Sequence, residues 1–443
     1  MANSSETGSN LLKAGDYVLS LLEIRSVVSG NSVDLRGLIT RFEIYEDLFS
    51  PYLTGKLYIR DSFNFPERLP IRGQEIVTVS FKPDIDSINP VTLTFRVYKM
   101  DSHKLGDNAK TQDYTLHLMS VGGYLNYSRF CGYSMKGNTS NMVQSMFEKH
   151  FPESVWKDRL FIETSKENYS FVIPGSYTPF KAISWLATRA YSDRGSGYTP
   201  YFFYETLDGY SYKSMRRIIE DGYKSKQRYT YMPPNMGLLD EQVDRVPFPS
   251  VLPPRYHKIL KFEDIERFDT ASNISKGVVS SVLSVHDLVR KQQRTNEFFE
   301  TDVFSATPKI GGEPLFKTEK GDADNILKHG ASYYYLPSTP YTVYTDSNSV
   351  VDNFQYEETF LKHRHHVGSI LTHKLAILVM GDSRRRVGDI VSIDISRIQS
   401  DSFLDPSISD KNLAGDYIIT SIKHEFNTAY SCKYELSKTC MGV

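Results

Sequence analysis

Val77, Val79 and Phe81 alternate with Thr78 and Ser80, and Val91, Leu93, Phe95 and Val97 alternate with Thr92, Thr94 and Arg96. Successive side chains of a strand leave on opposite faces, so a period of two lays one apolar row on a core and turns the other row outward. On a helix the same residues would be scattered around the circumference. Leu57-Tyr58-Ile59 and Tyr114-Thr115-Leu116-His117-Leu118 read as two further strands. Residues 12–122 are therefore expected to form a small antiparallel β domain of five to seven strands. The aromatic content agrees: 30 Tyr and 25 Phe in 443 residues favour pleated, half-buried surfaces.

The pattern changes after Gly122-Gly123. Ser140 can cap a helix that carries Met142, Val143, Met146 and Phe147 at helical spacing. Thr178 is a second N-cap, with Pro179 at the first helical position and Phe180, Ile183, Leu186 and Ala190 on one face. Tyr201-Phe202-Phe203-Tyr204, Asp208-Gly209 and Tyr210-Ser211-Tyr212 predict a hairpin. These signals define an α+β middle domain over 123–245. Pro233-Pro234, Pro247, Pro249 and Pro253-Pro254 then mark a linker. Strand patterns resume at 258–262 and 278–285, and again at 375–379, 390–395, 417–422 and 432–436, with a helix at about 357–372. Residues 246–443 read as a second β domain with an insertion at about 296–356, and residues 1–11 as a disordered tail.

The two β regions repeat each other. Gly73-Gln74-Glu75-Ile76-Val77-Thr78-Val79 echoes Gly388-Asp389-Ile390-Val391-Ser392-Ile393, the segment from Val97 echoes that from Tyr417, and Asp113–Leu118 echoes Lys433–Ser437. Gly73 to Tyr98 spans 25 residues against 29 from Gly388 to Tyr417, and Tyr98 to Tyr114 spans 16 against 17 from Tyr417 to Tyr434. More loosely, Tyr45-Glu46-Asp47-Leu48-Phe49 before Gly55-Lys56-Leu57 compares with Ile265-Glu266-Arg267-Phe268 before Gly277-Val278-Val279. A duplicated domain acts like two subunits, so a trimer of such chains would present six similar domains.

Charge and motif chemistry narrow the function classes. Lys plus Arg number 52 and Asp plus Glu 53, a net charge of −1, which argues against binding driven by phosphate neutralisation. Cys131, Cys432 and Cys440 are too few for a disulfide scaffold and too scattered for a zinc cluster; buried thiols are the expectation. No apolar run is long enough to span a bilayer. The polar N-terminus is unlike a secretory signal, so synthesis and residence in a cytosol are expected. No GxSxG, Walker A, GxGxxG or HExxH spacing occurs. Lys362-His363-Arg364-His365-His366 with His373 is the histidine cluster, read as a solvated basic helix face with metal binding as the minor alternative. No pair of acids stands out for glycoside hydrolysis. The expectation is therefore no catalytic residues, no metal and no cofactor.

At this level the chain resembles the baseplate hub proteins of contractile-tailed bacteriophages, and the hub half of type VI secretion spike proteins. The resemblance is carried by Leu38–Ser50 with Gly55–Asp61, by Tyr177–Ala187 with Tyr201–Glu205 and Gly209-Tyr210, and by Val387–Val391 with Leu413–His424. It covers most of the chain apart from the N-terminal tail and about 296–356. It implies a mainly β fold with two tail-tube-like antiparallel β-barrel domains in one chain. It implies a homotrimer forming a pseudo-sixfold ring that joins the hexameric tail tube to the trimeric central spike and lines the DNA channel, in the virion's tail baseplate. The implied partners are further copies of the chain, the tail tube protein, the central spike protein, other baseplate proteins, and DNA only in transit. In tube proteins the loop after the first hairpin reaches a neighbouring subunit; here that loop holds Phe63 and Phe65, which either anchor an interface or fold over their own barrel. Arg384, Arg385 and Arg386 lie between two strands and read as a solvated turn, an intersubunit site or a phosphate contact. The alternatives for the whole chain are a carbohydrate-binding tail or adhesin module, favoured by the tyrosine excess, and a cell-wall hydrolase.

Overall fold

The computed structural model describes residues 15–85, 87–105, 110–166, 168–192, 199–231, 254–287, 291–304, 308–315, 333–338, 341–344, 350–352, 357–395, 410 and 412–440. The expected N-terminal tail, most of the proline linker and most of 296–356 lie outside them. The strands are β1 (Tyr17–Arg25), β2 (Ser32–Asp34), β3 (Ile39–Asp47), β4 (Thr54–Asp61), β5 (Ile76–Pro83), β6 (Val91–Leu105), β7 (Gln112–Ser120), β8 (Ser134–Asn138), β9 (Leu160–Ile162), β10 (Asn168–Val172), β11 (Tyr201–Thr206) and β12 (Gly209–Ser214). They continue as β13 (Gln227–Tyr231), β14 (Lys258–Glu266), β15 (Ser280–Asp287), β16 (Gln292–Phe299), β17 (Tyr333–Ser338), β18 (Tyr341–Tyr344), β19 (Val350–Asp352), β20 (His373–Met380), β21 (Ile390–Ile395), β22 (Gly415–Phe426) and β23 (Tyr430–Lys438).

The fold is mainly β. Its largest sheet runs β2-β1-β5-β6-β7-β4-β3-β22-β21-β13-β14-β20-β23, and β23 also bonds back to β22. The last six strands therefore close a six-stranded barrel. The first seven form a second β unit that is not closed by hydrogen bonds of its own: the free edge of β3 is bonded to β22 instead. The expected pair of antiparallel barrels thus becomes one closed barrel and one open unit. The barrel is not wholly antiparallel either, since β13 runs parallel to both β21 and β14. The alternating rows face inward as the period of two requires: Val77, Val79, Phe81, Leu93, Phe95 and Val97 are all buried. One continuous core joins both units.

The strand orders show the duplication. The order β5-β6-β7-β4-β3 matches β21-β22-β23-β20-β14 with every pair antiparallel, while at the end of each row β1 is antiparallel to β5 and β13 is parallel to β21. Bulges fall at matching places, between Val97 and Lys99 on β6 and between Ile419 and Ser421 on β22. A second pair lies between Ile39 and Arg41 on β3 and between Ile259 and Lys261 on β14. A bulge re-aims a strand and fixes its register, so matched bulges are a stronger sign of common design than matched composition. They place Arg41-Phe42-Glu43 over Lys261-Phe262-Glu263; a further bulge on β14, between Asp264 and Glu266, then sets Tyr45 over Glu266, one residue beyond the match of Tyr45 with Ile265 that the sequence suggested. Three further readings are corrected: Val97 matches Ile419 rather than Tyr417. The counterpart of β4 is β20, whereas β15, which begins just after Gly277-Val278-Val279, leaves the barrel and pairs with β16 and β17. The same bulges put Leu116, rather than Tyr114, opposite Tyr434 in the comparison.

Between the two β units lie the helices Thr139–His150 and Pro179–Ala187 and the hairpin β11–β12. Phe147 packs on Phe180, Phe203 and Tyr210 in a second core. The helix caps differ from expectation. Asn138, two residues before Ser140, caps the first helix by accepting from Asn141 N–H. Thr178 occupies the N-cap position of the second helix without a side-chain bond, and Asn126 Oδ1 accepts from Phe180 N–H at 2.8 Å instead. A distant amide thus does the work of the local hydroxyl and ties the helix to the end of the first β unit. The hairpin turns at Leu207-Asp208, with Gly209 at φ 140°, where a Cβ would lie 2.1 Å from the Arg159 carbonyl oxygen.

Candidate assembly interface

The described residues organise a junction between strands. β22 pairs with β3 from Ser421–Asp47 to Phe426–Phe42. Phe426 stacks on Phe42 at 5.4 Å and on Tyr430 at 4.4 Å, and meets Phe81 edge-on at 4.7 Å. Tyr17 adds a fourth ring at 5.4 Å. Aromatic groups from β1, β3 and β5 therefore close over the end of β22, which explains how an otherwise open unit is held shut. In the same junction His424 is wholly buried, with Nε2 3.1 Å from Glu46 Oε1, Nδ1 2.8 Å from the Tyr430 hydroxyl and 3.4 Å from Cys432 Sγ. Burial opposes a charge on this imidazole, but Cys432 and Glu46 outweigh it and raise its pKa to about 9.

The arginine run acts inside the chain. Arg386 holds Asp208, at the tip of the β11–β12 hairpin, with both carboxylate oxygens at 2.6 and 2.8 Å. Arg385 is buried and donates to Ser225 O at 2.7 Å, at the end of the helix Met215–Lys224. Arg384 pairs with Asp382 at 3.1 Å. The loop between β20 and β21 is thus a clasp between the barrel and the middle region, neither a solvated turn nor an open cationic patch. Of the two loop aromatics, Phe65 is buried in the chain's own core and is not available as an anchor, while Phe63 is 58% exposed. Asp61 fixes this loop by accepting from Phe63 and Phe65 N–H.

A second polar tie links the first unit to the middle region. The buried Glu205 accepts from Leu53 N–H at 2.9 Å and from the Ser120 hydroxyl, beside a cavity of about 230 Å³ that Arg159 and Tyr210 also line. Burial raises its pKa to about 7. A carboxyl raised from 4.5 to about 7 favours the fold fully below pH 4.5, and that contribution is lost as pH rises through 7. Glu205→Gln keeps the two acceptor contacts and cannot ionise. It is expected to be about 1–3 kcal/mol more stable than wild type at pH 8.5 and nearly equal at pH 4.5, by urea unfolding at both pH values.

The histidine cluster is corrected in its setting. His363, His365 and His366 lie on the helix Glu357–Ile370 as expected but are buried, not solvated, while His373 begins strand β20 and is buried as well. His363 Nδ1 lies 3.2 Å from Thr188 O and His365 Nδ1 2.7 Å from Val278 O. Burial lowers the pKa of His363, and of His373, to about 4, so both are neutral wedges between elements. Among the described residues no group of three or more His, Cys, Asp or Glu is placed to hold a metal. All three cysteines are buried and unpaired. Cys131 lies 3.6 Å from His150, a contact the sequence spacing did not suggest, but burial raises its thiol pKa, the opposite of an activated nucleophile. Among the described residues no helix is long and apolar enough to cross a bilayer.

No protein-family model matches the sequence, and no curated protein sequence matches it. Solved structures do share the fold. A tail protein from Neisseria meningitidis MC58 aligns over 95% of this chain and 96% of its own, with a TM-score of 0.53 at 10% identity. The 43 kDa tail protein of prophage MuSo2 from Shewanella oneidensis aligns over 95% of this chain and 99% of its own, with a TM-score of 0.51 at 11% identity. The fold is that of phage-type tail proteins, and it extends over nearly the whole length of both chains.

Proposed function

We propose that this chain is a structural baseplate hub of a contractile phage-type tail. Three copies form a pseudo-sixfold ring of β units that joins a hexameric tail tube to a trimeric central spike, in the virion's tail baseplate, and encloses the channel through which DNA passes. The observation that carries this reading is the duplicated β unit: two units of matched strand order and matched bulges sit edge to edge in one chain. A chain built from two like units presents six of them in a trimer, which reconciles sixfold and threefold partners. The shared fold with tail proteins supports the same reading, as does the use of buried polar groups as ties between elements. The role is assembly, with no chemistry of its own. The partners are further copies of the chain, the tail tube protein, the spike protein and other baseplate proteins.

Light scattering on the purified chain, followed by threefold-averaged imaging of negatively stained particles, tests this. A ring with six lobes of like size is expected, alone or with tube and spike proteins added. A particle that stays monomeric with both partners present would sink the reading.

A further inference from the structure

The hairpin β11–β12 is held from both sides. At Glu205 it is tied to the first unit, through Leu53 N–H and the Ser120 hydroxyl. At Asp208 it is tied to the barrel, through Arg386. Between these ties stands Arg159, in the short link from the helix Glu153–Trp156 to β9. Its carbonyl accepts from Tyr210 N–H at 2.7 Å. Its guanidinium donates to Leu207 O and Asp208 O, both at 3.2 Å. Arg159 therefore braces the turn with its backbone and its side chain together.

Arg159 also lines the cavity of about 230 Å³ beside Glu205. The first unit contributes only uncharged residues to its wall, such as Thr94 and Ser120. From the middle region, Arg159 and Tyr210 are the titratable groups that face the carboxyl. On β3, which packs against β11, Glu46 acts on Tyr204, whose side chain leaves the opposite face of the strand. Burial favours the neutral carboxyl and outweighs the hydrogen bonds and the Arg159 charge, which favour the carboxylate. Glu205 is therefore neutral in acid and ionised above about pH 7. Once ionised, it draws on the cation in the same cavity, because charges attract more strongly there than in water. A carboxylate outcompetes two carbonyls for a guanidinium, since it adds a full charge and a bidentate fork.

We propose that this joint is a proton-controlled hinge: when Glu205 loses its proton, Arg159 leaves Leu207 O and Asp208 O for the carboxylate, and the turn that links the first unit to the barrel loosens. The proton passes to solvent and one ion pair forms in the cavity. Protonation breaks that pair and returns the guanidinium to the two carbonyls. The bistable element is the Arg159 side chain, and the turn Leu207-Asp208 reads its position. The hinge does not depend on the assembly role; within a hub it would set how firmly the first unit follows the barrel.

The test uses the full chain. Its only tryptophans are Trp156 and Trp185, and Trp156 lies just before the Arg159 link, with Nε1 bonded to Phe151 O at 3.2 Å. In a Trp185→Phe chain, Trp156 emission is followed from pH 5 to 9 beside hydrogen exchange of Tyr210 N–H. The exchange is corrected for its intrinsic rate and compared with core amides of β22. Both signals are expected to step together near pH 7, with Tyr210 exchange rising about tenfold or more over the core amides. Glu205→Gln cannot ionise and is expected to keep the acid emission and protection throughout. Arg159→Met removes the side-chain brace and is expected to give fast Tyr210 exchange at both ends of the range, with no step. Urea unfolding of the same chains separates the hinge from the titration. If stability falls above pH 7 while Tyr210 protection and Trp156 emission stay flat, Glu205 ionises but the transfer of Arg159 is overturned. A step that survives in Glu205→Gln overturns the hinge outright.

Discussion

Phe426→Ala is expected to destabilise the chain by about 3–5 kcal/mol, the cost of emptying a large buried aromatic site. Against a typical domain stability of about 5–15 kcal/mol this is a major loss. The reason is position rather than size alone. Phe426 ends the β3–β22 register and touches Phe42, Phe81, Tyr430 and Tyr17, three of which belong to the first unit. The first unit has no closing hydrogen bonds of its own, so this ring cluster stands where β1–β3 pairing would. Hydrogen exchange is the discriminating readout. Amides of β3 and of β22 beyond Ser421 should lose protection together, ahead of β21 and β23. If stability falls by less than about 1 kcal/mol, the units are held chiefly elsewhere, and the route through the β11–β12 hairpin, with Arg386–Asp208 on the barrel side and Glu205 on the side of the first unit, becomes the first candidate.

The buried Glu46–His424 pair should dominate the response to alkali. Its imidazole pKa is raised from 6.5 to about 9. The stabilisation is therefore complete below pH 6.5 and is lost as pH rises through about 9, on the order of 3 kcal/mol in all. Removing one partner is costlier: Glu46→Leu leaves a buried imidazolium facing no carboxylate and is expected to cost about 3–5 kcal/mol at pH 7. Adding His424→Leu removes the stranded charge and should recover much of that loss. Urea unfolding from pH 6 to 10 checks both, and the single variant should lose the alkaline limb near pH 9. Glu205 titrates at lower pH, about 7, so running the series in a Glu205→Gln background separates the two groups. An alkaline limb that persists in Glu46→Leu would show that Cys432, which also raises the imidazole pKa, holds the charge without the carboxylate.

Much of the fold was legible because its signals are local. The rows Val77-Val79-Phe81 and Leu93-Phe95-Val97 state which face is buried, and the structure buries that face. Phe180, Ile183 and Leu186 define the buried stripe of their helix, and Asp208-Gly209 its neighbouring hairpin. The repeat was readable in Glu75-Ile76-Val77 and Asp389-Ile390-Val391, whose first residues accept from Val97 and Ile419 N–H at matching places. Other readings failed where a distant element decided the outcome. The histidines of Glu357–Ile370 look like a polar face until Thr188 O and Val278 O arrive to accept from them. Thr178 looks like a sufficient cap until Asn126 takes its donor. Phe65 has the composition of an interface anchor, but Asp61 folds its loop back over the core.

By itself, then, the sequence determined the strands, their inward faces, the helical middle region and the duplication, since each is written in side-chain pattern over a few residues. Only the tertiary structure decided which strand edges meet. β3 joins β22 rather than closing on β1, and β13 enters the barrel in parallel. The physical reason is that an edge consists of N–H and C=O groups, which every residue except proline presents alike. Faces are coded by side chains and can be read in advance, whereas edges are chosen by the geometry of everything already packed around them.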